Sequence, residues 1–338
     1  MSQLLKEKIM QAFLEKSILT GGELEKKLGV TRSAISKVIN SLIQDGLNIE
    51  TIPRKGYKFL DDNDILSKAT IDFNIDAKKY GKQIEILDSV DSTNLYLKNL
   101  IDANEGYTVI ADKQIGGMGR KGRKFISEKG GIYFSILLKP KIEVSDIKFL
   151  TFCAALSVAE SIKSICGIDV GIKWVNDIFY DSKKLCGIST DATLCLESMT
   201  LKSAIIGIGI NLHPLSDNDF SDTTQIQNIA TDIFSITRQT GFRNKLIAKI
   251  LSSLEFFIDK LVAGKKLEIL SLYKDNICVM GSVVKVIPVN NAEYLARVIG
   301  LNDNGELKVN KLTDDKSLSN EIQFLSTEEV SIMVMQDE

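Results

Sequence analysis

Residues 116–125 read GGMGRKGRKF: four glycines set among four cationic side chains, Arg120, Lys121, Arg123 and Lys124. Gly117-Met118-Gly119-Arg120-Lys121-Gly122 satisfies GxGxxG, and the position of that pattern in the chain decides the fold. A dinucleotide site needs the glycines to open a helix, whose N-terminus then meets the pyrophosphate. Here the loop leaves an apolar run, TVIADK, and leads through Phe125-Ile126-Ser127 to another strand-like run, GIYFSILLK. No helix follows, so the dinucleotide reading fails. The P-loop pattern fails as well, because Arg123 and Lys124 follow Gly122 where lysine and then serine or threonine are required. One alternative is a solvated surface loop, the ordinary state of charged residues. The other is an anion site. Glycines let backbone N–H groups come close, and guanidinium forks match phosphate or carboxylate oxygens bidentately. A cationic loop of this kind orders as it closes on a phosphorylated ligand.

Outward from the loop, the chain alternates strands and helices from about residue 84. IEILDSV and YTVIADK read as strands with a helix from about Thr93 to Ile101 between them; residues 147–166 form an apolar helix; GIKWVND, IFY and KSAIIGIGINL are further strands; residues 243–262 and 266–274 are helical. After Cys278 the pattern turns all-β: SVVKVIPV, EYLARVIGL, ELKVN and VSIMV, with a turn at Asn302-Asp303-Asn304-Gly305. Short strands at that density predict a small barrel.

The N-terminal residues differ again. Apolar side chains at Leu4, Leu5, Ile9, Phe13 and Leu14 predict a helix over 4–19 that Gly21-Gly22 ends. A short helix ELEKKL and a turn at Gly29-Val30 follow. Thr31 then caps a helix whose stripe is Ile35, Val38, Ile39, Leu42 and Ile43. Two helices joined in this way, with two strands around Pro53-Arg54-Lys55-Gly56 behind them, predict a winged helix-turn-helix. Its exposed candidates for DNA contact are Arg32, Ser33, Ser36, Lys37, Asn40, Arg54 and Lys55. Residues 1–60 carry ten Lys/Arg and six Asp/Glu, a charge of +4 on a chain whose net charge is −2. A basic module on an acidic body points to a local anionic partner. DDNDILSK (61–68) reads as the linker.

The 338 residues exceed one core, so two or three domains are expected. The cysteines, at 153, 166, 186, 195 and 278, form no CxxC, and a reducing, cytoplasmic setting fits. His213 is the single histidine, which excludes most His-based catalysis and His-based metal sites. No signal-like h-region or run of 18 apolar residues occurs.

Other segments hold groups suited to a small polar ligand. KWVNDIFYDSKKLCGI (173–188) brings Lys173, Asn176, Asp177 and Lys184 around a strand–turn–strand. Asn176-Asp177 also suits a plain turn, and Trp174 plain core packing. Asp91-Ser92-Thr93-Asn94 precedes a helix, where Ser92 or Thr93 also suits an N-cap. GIGIN (207–211) fits a buried strand approached closely by other backbone.

In order, the winged helix ending PRKGYKFL, DSTN, Gln114 with GMGRKGRKF, KWVND with KKLCGI, GIGINLHP and a C-terminal β segment resemble the bifunctional biotin–protein ligases that are also biotin-operon repressors. The resemblance covers nearly the whole chain. It implies a multidomain α+β fold: a winged helix-turn-helix over 1–62, a mixed-sheet ligase domain like that of class II tRNA synthetases over 63–275, and an SH3-like small β-barrel over 276–338. It implies that biotin and MgATP give biotinyl-5′-AMP, which then biotinylates a lysine on the carrier domain of acetyl-CoA carboxylase. It implies also that the adenylate, as corepressor, promotes a homodimer on operator DNA. By the same resemblance Ser92, Thr93, Asn94 and Gln114 line the biotin pocket, where hydroxyls and amides suit a neutral urea. Gly117, Met118, Gly119, Arg120, Lys121 and Arg123 fold over the phosphate, and Trp174, Asn176, Gly187 and Asn211 complete the site. Lys184 binds the carboxylate and α-phosphate oxygens, where charge grows during attack. Asp177 orients or deprotonates the acceptor lysine. Mg²⁺ meets mainly phosphate oxygens, so no protein metal ligand is assigned. Three departures stand out: Met118 where arginine is common, Val175 for the proline of KWPND, and Phe125 for tryptophan. Met118 speaks for a competing reading, a biotin-sensing transcription factor whose ligase body is catalytically weak. A lipoate–protein ligase ranks lower, since those sequences lack the winged helix and this basic loop.

Overall fold

The computed structural model describes residues 2–44, 47–60, 64–100, 102–119, 122–195, 197, 200–214, 229–288, 292–313, 318–326 and 330–334. Arg120 and Lys121 of the basic loop lie outside the described residues.

Helix α1 (Ser2–Glu15) buries Ile9, Met10 and Phe13 in one small core, to which α3 (Arg32–Gln44) adds Ile35, Val38, Ile39 and Leu42. Apolar spacing carries α1 on to residue 19, yet the helix stops at Glu15 and Ile18–Leu19 form a short strand, β1. Gly21 and Gly22 open α2 (Gly21–Leu28) rather than close α1. Thr20 is the reason: its hydroxyl accepts from Glu23 N–H at 3.1 Å, and the Glu23 carboxylate accepts from Thr20 N–H at 2.7 Å. This capping box starts a helix at a place where bare glycines would break one. Thr31 caps α3 through Ala34 N–H at 3.3 Å. Ile43 leaves the buried stripe and is 39% exposed. β2 (Ile49–Ile52) and β3 (Gly56–Phe59) form the wing, and the sheet order is β1-β3-β2.

After the linker comes α4 (Lys68–Asn74), which sequence periodicity did not single out. The central sheet then assembles from β4 (Gln83–Leu87), β5 (Tyr107–Ala111), β6 (Ile132–Leu138), β7 (Gly171–Lys173), β8 (Asp177–Tyr180), β9 (Lys183–Cys195) and β10 (Thr200–Ile210). Its order is β4-β5-β6-β10-β9-β8-β7; β4 and β5 run parallel and the other pairs antiparallel. The short α5 (Thr93–Lys98) lies on one face, with Leu97 against Val109, Leu137 and Ile205. A long apolar helix, α6 (Ile147–Cys166), lies on the other with α8 (Arg243–Val262), after the short α7 (Ile233–Thr237). α6 is long and apolar enough to cross a membrane, but 78% of its most apolar window is buried inside the protein, so its composition is that of a core helix. Each large side chain buried there stabilises by roughly 1.5–3 kcal/mol.

Helix α9 (Lys266–Asp275) leads to β11 (Val283–Pro288), β12 (Tyr294–Leu301), β13 (Leu307–Leu312), β14 (Leu318–Leu325) and β15 (Val330–Val334). They form one antiparallel sheet of order β14-β13-β12-β11-β15. Among the described residues the edge strands β14 and β15 do not pair with each other, so the sheet is open where a closed barrel is expected from strand density. Its apolar face shares the main core with α6. The Asn302–Gly305 turn packs on that body: Trp174 Nε1 donates to the Gly305 carbonyl at 3.1 Å.

Candidate active site

The cleft is a consequence of strand register. β9, β10 and β6 lie side by side, and residues two apart share a face. Gly187, Gly209 and Tyr133 make one row across the three strands; Ser189, Gly207 and Ser135 make the next. The intervening Ile188, Ile208 and Phe134 point to the opposite face and the main core. Where α5 does not reach, the small residues Gly187, Ser189, Gly207 and Gly209 floor a shallow cleft of about 60 Å³.

The head of the cleft is the N-terminus of α5. Ser92 is its N-cap, accepting from Leu95 N–H at 3.5 Å. Thr93 donates its N–H to Gln114 Oε1 at 2.9 Å, and its hydroxyl stands 3.1 Å from the same oxygen. Gln114 Nε2 donates to Ser127 Oγ at 2.8 Å. Ser135 Oγ lies 2.5 Å from Asn94 Oδ1 and 2.7 Å from Thr93 Oγ1. The Asn94 oxygen only accepts, so the single Ser135 proton goes to it. Asn94 Nδ2 then donates to Ser189 Oγ at 2.9 Å and to Asp191 Oδ2 at 3.1 Å. The amide is thereby fixed in one orientation over Gly207.

The described ends of the basic loop pair with each other, and among the described residues no α-helix follows Gly122 before β6, as expected. Phe125 N–H donates to the Gly117 carbonyl at 2.8 Å, Gly119 N–H to the Arg123 carbonyl at 2.6 Å, and Met118 bridges Lys124. Phe125 lays its ring over the glycine row, and a Cβ on Gly209 would meet that ring at 2.5 Å. Met118, Arg123 and Lys124 are exposed, and Met118 lines the cleft with Gly119.

At the far end the half-buried Lys184 Nζ lies 2.8 Å from Asp177 Oδ1 and 5.8 Å from the centre of the Phe125 ring. That buried carboxylate oxygen has no aligned hydrogen bond. The contact is therefore one of charge, which leaves the ammonium free to turn toward a ligand. Lys173 stands opposite Asp177 across the β7–β8 pair. Burial pushes its ammonium below the ordinary lysine value, against the pull of Asp177. Asn176 donates from Nδ2 to the Ile188 carbonyl at 2.7 Å and pins β8 to β9.

Most of the expected residues meet here: Ser92, Thr93, Asn94, Gln114, Met118, Gly119, Asn176, Lys184 and Gly187 line one cleft, with Gly117 and Asp177 immediately behind them. Two do not. Trp174 faces the C-terminal sheet and is 5% exposed, because its indole N–H finds the Gly305 carbonyl there. Asn211 is buried beneath β9, donating to the Thr231 carbonyl at 3.0 Å. Sequence reasoning missed Ser189, which lines the cleft, and Ser127, Ser135 and Asp191, which hold its lining side chains Gln114 and Asn94. Ser135 had a signal, as the one polar residue in IYFSILL. On α3 and the wing, Arg32, Ser33, Lys37, Asn40, Arg54 and Lys55 are exposed and Ser36 half-buried. Arg32 Nε donates to Glu25 Oε2 at 3.0 Å.

Residues 86–211 match the biotin/lipoate A/B protein ligase family, and residues 6–58 match an HTH domain. The bifunctional ligase/repressor BirA of Bacillus subtilis strain 168 is 30% identical over 91% of this chain and 94% of its own length. That of Bacillus spizizenii is 31% identical over the same shares. The biotin protein ligase of Aquifex aeolicus, solved with biotin and ATP, superposes with a TM-score of 0.62 at 27% identity, over 75% of this chain and all of that one. The similarity runs along nearly the full length, and the chain belongs to the family of bifunctional biotin–protein ligases and repressors.

Proposed function

We propose that the cleft binds biotin and ATP, forms biotinyl-5′-AMP and passes the biotinyl group to a lysine on the carrier domain of acetyl-CoA carboxylase. The observation that carries this is the small-residue floor with fixed polar groups at one end and a releasable ammonium, Lys184, at the other. Thr93, Asn94 and Gln114 meet the ureido ring with hydroxyl and amide groups whose directions are already set. In the first step a biotin carboxylate oxygen attacks the α-phosphorus and the bond to pyrophosphate breaks. The nucleophile is ionised at neutral pH, so no base is needed. Lys184 and the loop cations Arg120 and Arg123 neutralise the oxygens on which charge accumulates. In the second step the acceptor amine attacks the acyl carbon and AMP leaves. Asp177, no longer occupied by Lys184, orients that amine or takes its proton.

Among the described residues no group of three or more His, Cys, Asp or Glu side chains is placed to hold a metal. Mg²⁺ enters as the partner of the triphosphate, held mainly by phosphate oxygens. The N-terminal module reads operator DNA of the biotin genes through α3 and the wing, as a homodimer whose formation follows adenylate binding. Free cysteines and an ATP-dependent reaction fit a cytoplasmic enzyme.

A second reading, a biotin sensor with weak catalysis, is favoured by Met118, which stands 61% exposed at the cleft in place of a guanidinium. Labelled biotin, MgATP and a biotin-acceptor domain separate the two. The ligase reading expects ATP-dependent label on the domain, lost in Lys184→Met. Biotin binding without any transfer would establish the sensor instead.

A further inference from the structure

The linker between the winged helix and the ligase body is clamped at one point. Asp64 Oδ1 accepts from the N–H groups of Gly241 at 3.0 Å and Arg243 at 3.1 Å, at the start of α8. Asn244 holds the next residues, donating to the Ile65 carbonyl at 2.8 Å and accepting from Ser67 N–H at 2.9 Å. The Arg243 side chain, 2% exposed, then turns into the body. Its Nη1 donates to the Asp64 carbonyl at 2.9 Å and to Asp112 Oδ1 at 2.7 Å, and its Nη2 donates to the Gly131 carbonyl. Asp112 is the first residue after β5 and Gly131 the last before β6. They are the two stems of the loop that carries residues 116–125. One planar fork therefore holds both stems of the ligand loop and the linker to the DNA-binding module. The end of β10 adds a second tie, since His213 Nε2 stands 3.6 Å from Asp64 Oδ2.

We propose that Arg243 is a positioning residue of the ligase site and the joint through which loop closure restrains the winged helix. It touches no substrate. The inference rests on the cleft being the biotin and adenylate site. A ligand that closes the loop fixes its stems, the stems fix the guanidinium, and the guanidinium fixes Asp64. Helix α4, next in the chain, packs on α1, so the restraint continues into the first helix of the DNA-binding module. A lysine at 243 keeps the charge but has no fork with which to hold three acceptors at once.

Hydrogen–deuterium exchange on the whole chain, with and without biotin plus MgATP, tests this. In the wild type we expect slowed exchange both in residues 112–119 and in residues 64–70. In Arg243→Lys the loop protection persists while the ligand-induced linker protection falls about tenfold or more, by roughly the weight of one lost charge-assisted hydrogen bond. The KM for biotin rises about tenfold with kcat little changed, a split that simple loss of folded protein would not produce. Asp112→Asn, which leaves the Asp64 and Gly131 bonds of the fork in place, serves if Arg243→Lys does not fold, and is expected to give the same split. Wild-type loop protection with no linker protection would overturn the inference alone, as would undiminished linker protection in both variants. No ligand protection anywhere in the wild type would overturn the ligase reading and this inference with it.

Discussion

A methyl group at position 207 would stand 2.2 Å from Asn94 Oδ1 and 2.7 Å from Ser189 Oγ. Gly207→Ala therefore has to push Asn94 out of the orientation that Ser135 and Ser189 impose. We expect biotin affinity to fall at least tenfold, about the weight of one misdirected hydrogen bond in a buried site, with little change in thermal midpoint. Calorimetric titration with biotin checks it, and unchanged affinity would separate Asn94 from the pocket. Met118→Arg makes the opposite change, adding a cation where the loop meets the cleft. Release of biotinyl-5′-AMP should slow roughly tenfold or more, the scale of one charge-assisted contact, as measured by adenylate dissociation. At this scale the resemblance picked out Gln114 and the residue pattern Lys184, and the structure brings both to one cleft. The sequence was silent on Ser127 and Ser189, because serine on a strand is unremarkable until register sets it beside Gln114 or Asn94.

Elements carry constraints that single residues do not reveal. Glu255 on α8 is 6% exposed, and its carboxylate accepts the N–H groups of Lys78, Lys79 and Tyr80, each at 2.8 Å. Burial alone would raise its pKa; the three N–H donors outweigh that and hold it below the ordinary carboxylate range. A folded value below the unfolded one means stability that is complete above about pH 4.3 and lost as pH falls through the folded value. Glu255→Gln should cost about 1–3 kcal/mol at neutral pH and flatten the acid limb of the stability profile, measured by urea unfolding across pH. An equally steep acid limb would assign that pH dependence to other carboxylates. In the winged helix, Lys37→Ala on the exposed face of α3 should weaken operator binding and lower its salt slope by about one, while biotin transfer is unaffected. Apolar periodicity located α3, α6 and α8 to within a few residues. It misjudged the end of α1 because the Thr20–Glu23 capping box acts against the glycines beside it. It missed α4, too short to show a period, and β14, LSNEIQFL, whose large side chains Leu318, Ile322 and Phe324 are exposed rather than in the core.

Across the molecule, charge and layering separate the tasks. The N-terminal 60 residues carry +4 on a chain of net −2. The central sheet supplies the cleft on one face and the core on the other, and the C-terminal sheet shares that core instead of forming its own. The order of these parts was legible from composition and pattern. Their joints were not: the Trp174 hydrogen bond to Gly305 and the Arg243 clamp on Asp64 depend on pairs of residues 131 and 179 positions apart in sequence. The central claim concerns what the cleft holds, and a crystal grown with biotinyl-5′-AMP tests it most directly. The account predicts the ring between Thr93, Asn94 and Gln114 over the Gly207–Gly209 floor, with Lys184 Nζ drawn from Asp177 to within about 3 Å of an acyl or phosphate oxygen. An adenylate found elsewhere, with Lys184 still paired to Asp177 and Phe125 still over Gly209, would contradict it.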